Sequence, residues 1–156
     1  MKVALVVPKL TSDEFTNVNA IKKYIHSAAD NGAQFVLFPE AALTGLVNND
    51  DPKHDLPLGE PVPGFVTEQI GKICETRKVW TALGLLETDN GAMYDSAILI
   101  DPLGDIKMKY RRIQPQWHGK KADATVYRQG SHVEKAITPF GSVSFLICGD
   151  LVSKQK

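Results

Sequence analysis

Cysteine is scarce in this sequence: the 156 residues hold two, Cys74 and Cys148. Two thiols cannot staple a small secreted scaffold, and such sparing use fits a reducing cytoplasm. An excess of either charge is also missing, with 18 basic residues against 18 acidic ones. Composition therefore gives no support to a nucleic-acid or membrane-surface partner, which calls for a basic face. No apolar run approaches the ~20 residues of a bilayer-spanning helix. Met1-Lys2 leads straight into an apolar strand, with no signal-peptide layout. Cys and His do not cluster at ligand spacing, so no metal is expected. No G-x-G-x-x-G follows Val7, and Gly71-Lys72 lacks the flanking residues of a phosphate loop, which argues against a nucleotide module.

What is present suffices for one domain with a real core: 43% of the residues are apolar and 23% charged. Residues 2–8 read as a Val-rich strand stopped by Pro8. Thr11 or Ser12 can cap a helix whose apolar face carries Val18, Ile21, Ile25 and Ala28. Asn31-Gly32 ends it, and residues 33–38 form a second apolar strand. Strand, helix, strand at this spacing is a βαβ unit with parallel strands. Residues 45–64, rich in Asn, Asp, Pro and Gly, read as a long rim loop. A helix is expected over 65–77, with Cys74 as a packing cysteine. Strands follow over 79–86, 94–100 and 106–112, the last two antiparallel, with a turn over 87–91. Residues 114–130 form a second polar loop. No internal repeat or interdomain linker is evident.

Two places look chemical. Residues 141–148 alternate Val143, Phe145 and Ile147 with Ser142, Ser144 and Leu146, the pattern of a buried strand. It ends in Cys148, followed by a glycine and an aspartate. A sulfur at the C-terminal end of an inner strand lies where open α/β sheets place their chemistry. Glu40 directly follows Val-Leu-Phe-Pro, so its carboxyl is partly desolvated by position and suited to act as a base. Each feature also has a structural explanation, as a core cysteine and as a helix N-terminal glutamate.

Four segments in order resemble the nitrilase, or carbon–nitrogen hydrolase, superfamily. They are NGAQFVLFPEAALTG around Glu40, PVPG at 61–64, YDSAILIDPLGDIKMKYRR over 94–112, and FGSVSFLICGD around Cys148. The resemblance implies a Glu–Lys–Cys triad, with Glu40 as general base and Cys148 as nucleophile. It implies a small amide, carbamoyl or nitrile substrate and no cofactor. The lysine position, two residues after Tyr110, holds Arg112 here. A guanidinium can stabilise an oxyanion but does not readily pass a proton. Strand alternation turns Lys109 to the opposite face from Arg112, and Lys120 or Lys121 would have to reach in from the loop. The resemblance also points to Tyr127, opening an aromatic-x-x-Gly turn that ends at Gly130, and to Asp123 as substrate-binding residues. His118 and His132 read as loop residues.

The family's fold resembles a four-layer αββα sandwich of two similar halves in a chain well over two hundred residues long. This sequence is thus expected to form a single partial domain over 1–156: an α/β half-sandwich with a mixed sheet and helices on one face. Its uncovered apolar face predicts a homo-oligomer. Two functions follow: a thiol hydrolase of non-peptide C–N bonds, or a truncated, catalytically impaired relative serving as a binding or assembly subunit.

Overall fold

The computed structural model describes residues 1–151. β1 (Val3–Leu5) and β2 (Phe35–Leu37) flank α1 (Glu14–Asp30) and pair in parallel. A crossover carrying α2 (Pro52–Asp55) and α3 (Phe65–Arg77) leads to β3 (Trp80–Asp89), which lies parallel to β2. β4 (Ala92–Ile100) and β5 (Ile106–Arg111) add antiparallel, giving one five-stranded mixed sheet in the order β1-β2-β3-β4-β5. The α/β class, the mixed sheet and the helices on one face are as expected from the sequence.

Local chemistry explains the boundaries and corrects some of them. Asp13, not Thr11 or Ser12, caps α1, its carboxylate accepting from Thr16 N at 2.9 Å. Thr11 instead braces the approach, with Thr11 N donating to Asn17 Oδ1 at 2.9 Å. β3 runs through Glu87 to Asp89, past the expected end at Leu86. The turn is confined to Asn90 and Gly91, both at positive φ (49° and 77°), as a tight hairpin joining twisted strands requires. The loop at 45–64 contains α2 and a 3₁₀ turn at Leu56–Leu58, so it is more ordered than its composition suggests.

Strand register sorts the sheet into two faces. On one, Val36, Leu83, Leu85, Ile98 and Ile100 pack against Val18, Ile21 and Ile25 of α1 and against Ile70 and Cys74 of α3. Each large aliphatic side chain buried there contributes about 1.5–3 kcal/mol. The opposite face carries Phe35, Trp80, Ala82, Leu99 and Met108, and the chain between 136 and 147 lies over it. Toward β1 that face is open: Val3, Leu5 and Leu37 are exposed.

The strand expected to end in Cys148 is largely absent. Only β7 (Gly141–Val143) forms, paired with β6 (Ala136–Thr138) in a separate two-stranded ribbon. The alternation is nonetheless real. Val143, Phe145 and Ile147 turn inward while Ser142, Ser144 and Leu146 face solvent. A period of two reports which side chains are buried, whereas a strand also needs a neighbour for its ladder. Residues 144–147 cross the sheet's face instead of joining an edge.

Gly84 of β3 lets the chain after β2 lie directly on the sheet. A Cβ there would sit 2.6 Å from Ala41 N and 2.8 Å from Glu40 Cα and Pro39 O. Gly84→Ala is expected to cost about 1–3 kcal/mol by overpacking against backbone, measurable as a lower urea midpoint with an unchanged m-value.

Candidate active site

Glu40 lies in the turn that follows β2. Phe38 N donates to Ala82 O at 2.9 Å, Gly84 N to Pro39 O at 3.2 Å, and Leu43 N to Gly84 O at 3.1 Å. These bonds pin the turn to β3 on both sides of Glu40. Ala41 takes a positive φ of 49° within it. A rigid turn on a buried strand holds the carboxylate at the sheet's surface while leaving it partly solvated.

Arg112 immediately follows β5 and is buried. Its Nη1 donates to Glu40 Oε1 at 2.9 Å and to Asp95 Oδ2 at 3.2 Å. Asp95 lies on β4 with no exposed surface. Burial, reinforced by the hydrogen bond and charge of Glu40, pushes its carboxyl up to about 8, with Arg112 pulling the other way. Removing one partner of such a buried ion pair typically costs about 3–5 kcal/mol. Lys109 and Arg111 turn to the other face, as alternation predicts. There, both bind Glu87, Lys109 at 2.7 Å and Arg111 at 2.6 Å. Burial opposes ionisation of Glu87, but bonds from Arg111, Lys109 and Ser96 outweigh it and hold the carboxyl below its usual range. Lys120 and Lys121 are exposed.

Cys148 is exposed and unpaired, and opens a 3₁₀ turn (Cys148–Leu151) at a φ of 42°. Asp150 secures that turn. It accepts from Tyr110 Oη at 2.6 Å, Gln114 N at 2.8 Å, Ile147 N at 2.9 Å and Ile113 N at 3.2 Å. Burial raises the Asp150 carboxyl, but these donors outweigh it and lower it overall. Gly149 lies against Arg112, where a Cβ would overlap Nη2. Glu40 and Cys148 line one cavity of about 140 Å³, walled by Leu37, Ala82, Ala97 and Phe145. Glu40, Arg112 and the turn presenting Cys148 are therefore brought to one place.

Asp123 and Tyr127 do not line that cavity. Asp123 is exposed and accepts from Thr125 N and Oγ1. Tyr127 is buried among Leu86, Met93 and Trp117, its hydroxyl donating to Asp55 Oδ2 at 2.6 Å. His118, in the 114–130 loop, contacts Trp117 and Tyr127, and the exposed His132, just past that loop, pairs with Glu134. The sequence reading missed Asp55, Gly84, Asp95 and Asp150. A charged residue interrupting an apolar strand was the available signal for Asp95. Asp55 ties the rim loops together, since it also accepts from Asn49 N, Asp50 N and His54 Nδ1. Among the described residues no group of three or more His, Cys, Asp or Glu could hold a metal, and no helix is long and apolar enough to cross a membrane.

A parallel βαβ sheet extended by an antiparallel hairpin, with helices packed on one face, defines an α/β fold. Comparison with known proteins places it further. Residues 2–155 match the carbon–nitrogen hydrolase family, and the chain belongs to that family. It is 25% identical to nitrilase 3 of Arabidopsis thaliana over 154 residues, 88% of this chain and 43% of the relative. It is 30% identical to a formamidase of Bacillus cereus over 102 residues, 63% of this chain and 30% of the relative. Among solved structures, it is similar in fold to a carbon–nitrogen hydrolase superfamily protein of Xanthomonas campestris (TM-score 0.80, 14% identity, 96% of this chain and 54% of that one). An amidase from Nesterenkonia is also similar (TM-score 0.75, 20% identity, 95% and 55%). The chain thus spans less than half the length of these two curated relatives.

The Asp55 junction yields a stability prediction. Burial raises its carboxyl, yet bonds from His54, Tyr127, Asn49 and Asp50 outweigh that and hold it below the usual range. A depressed folded-state pKa stabilises above the unfolded value and loses that contribution as pH falls through the folded value. Tyr127→Phe is expected to cost about 1–3 kcal/mol at neutral pH and to move acid unfolding to higher pH, read by urea and acid titrations.

Proposed function

We propose that the chain carries the reacting groups of a hydrolase acting on a small molecule with a non-peptide carbon–nitrogen bond, an amide, carbamoyl compound or nitrile. The observation that carries this reading is the 2.9 Å Glu40–Arg112 pair beside the turn that presents Cys148. Family membership supports it, as do relatives named formamidase and nitrilase. A Nesterenkonia amidase variant similar in fold has been solved in complex with acrylamide.

The chemistry on an amide runs as follows. Glu40 accepts the Cys148 thiol proton, and Sγ attacks the carbonyl carbon. The carbonyl oxygen becomes an oxyanion beside the Arg112 guanidinium, whose charge stabilises it. The C–N bond breaks, the amine leaves with the proton from Glu40, and a thioester remains on Cys148. Glu40 then takes a proton from water, the hydroxide attacks the thioester, and the carboxylic acid departs as the thiol is restored. A fixed cation suffices for the oxyanion, so arginine can fill a role that never requires it to give up a proton. Catalysis draws on no cofactor, and a free thiol suits a cytoplasmic setting.

Arg112 also favours a second reading, a catalytically impaired binding or assembly subunit. Its Nη1 is engaged by two carboxyls, and a guanidinium cannot relay protons as an amine can. Asp123 and Tyr127 enter the first reading as substrate-loop residues, with Tyr127 setting the loop through Asp55. Val3, Leu5, Leu37 and Leu146 form an exposed apolar strip on the face that bears Cys148. A second copy of the chain covering this strip would make a homo-oligomer.

Ammonia release from a panel of small amides and nitriles tests the reading. Cys148→Ala is expected to abolish it, and Arg112→Ala to reduce it about 10²–10³-fold. Iodoacetamide is expected to modify Cys148 well before Cys74, whose burial pushes its thiol up to about 11. No ammonia with selective alkylation favours the second reading. Equal, slow alkylation of both thiols sinks the nucleophile assignment. Sedimentation at micromolar concentration should give more than a monomer, and a monodisperse monomer would remove the oligomer.

A further inference from the structure

Asp95 is the group in this site for which the proposed reaction gives no task. Its side chain is fully buried on the face of β4 that bears the site. Its Oδ2 meets Arg112 Nη1, the same nitrogen that meets Glu40. Backbone pairing fixes this approach, because Arg112 N donates to Asp95 O at 2.8 Å. Arg112 Nε is buried without a hydrogen-bond partner, and no group among the described residues donates to the buried Asp95 Oδ1. Two carboxyls therefore share one guanidinium in a place largely closed to water. With both ionised the cluster carries a net negative charge. With one proton between them it is neutral, the cheaper state where hydration is poor.

We propose that Asp95 is a positioning residue, holding Arg112 against Glu40 and storing the proton that keeps this three-residue cluster neutral. The proposal rests on the reading of Glu40 as the base. A protonated Asp95 donates to Glu40 and leaves Glu40 as the anion available to the Cys148 thiol. Loss of that proton adds a negative charge next to the Cys148 turn and opposes thiolate formation there. The balance of burial and Glu40 against Arg112 places this change near a pH of about 8. The surrounding elements add little further charge. Leu86, opposite on β3, is apolar. The Asp150 carboxylate is taken up by Tyr110 and three backbone N–H groups. Lys109, Arg111 and Glu87 lie on the other face of the sheet.

Carbon-13 NMR of the side-chain carboxyls across pH tests this on the intact chain, with Asp95→Asn and Glu40→Gln alongside. One carboxyl should titrate near pH 8 and be missing in Asp95→Asn. In Glu40→Gln, Asp95 should titrate about one unit lower or more, because a like charge beside it is gone. Above the wild-type midpoint, Cys148 should alkylate several-fold faster in Asp95→Asn than in the wild type, and below it the two should agree. An Asp95 that titrates in the ordinary carboxylate range overturns the proposal. So does a midpoint unmoved by Glu40→Gln, or alkylation rates that agree at every pH. If Asp95→Asn does not fold, the Glu40→Gln titration still decides. Neither readout needs turnover: a linked titration without amide hydrolysis sinks only the hydrolase reading, and hydrolysis without the linkage sinks only this one.

Discussion

A guanidinium held out of water, with two carboxyls meeting one of its nitrogens, is the constraint around which the site is built. Arg112 can be buried only because Glu40 and Asp95 meet it. That requirement ties three pieces of chain together: the turn after β2, the middle of β4 and the end of β5. The turn needs Gly84 beneath it, and the guanidinium needs Gly149 beside it, since a side chain at either place would occupy the same space. The thiol's location follows from these contacts, because Asp150 anchors the Cys148 turn to Tyr110 and to the backbone just past Arg112.

Neighbouring cations in one strand do different work because the pleat sends them to opposite faces. Arg112 goes to the open face and the candidate site. Arg111 and Lys109 go to the other, where they neutralise the buried Glu87, and Arg111 also covers the Tyr94 ring at 3.6 Å. The second cluster is fully paired, so it reads as structural. The first holds one more carboxyl than cation, which is the imbalance that makes it responsive to protons.

Much of this was legible in the amino-acid order. The βαβ unit, α3 with its buried Cys74, and the antiparallel pairing of β4 with β5 all follow from apolar periodicity and turn residues. The opposite facing of Lys109 and Arg112 follows from a period of two. Motif order identified Glu40, Arg112 and Cys148 as belonging together, and these three do converge on one region. Periodicity failed where it had to stand in for pairing. The 143–147 alternation marks burial against the sheet, yet past Val143, which pairs with Ala136, residues 144–147 have no ladder partner among the described residues. Composition marks 45–64 as a long rim loop but gives no sign of Asp55, which organises it through contacts that arrive from over seventy residues away.

The sequence alone determined what local rules control: the long helices and the main strands of the sheet, which face each side chain takes, and which residue types could supply a base, a cation and a nucleophile. Tertiary structure decided the rest. Whether Asp95 is a surface charge or a buried partner of Arg112, and whether Tyr127 touches substrate or braces a loop, depends on which distant atoms exclude water from it. The cost of an unpaired charge is set by that exclusion, and proximity in three dimensions is not written in any single window of the chain.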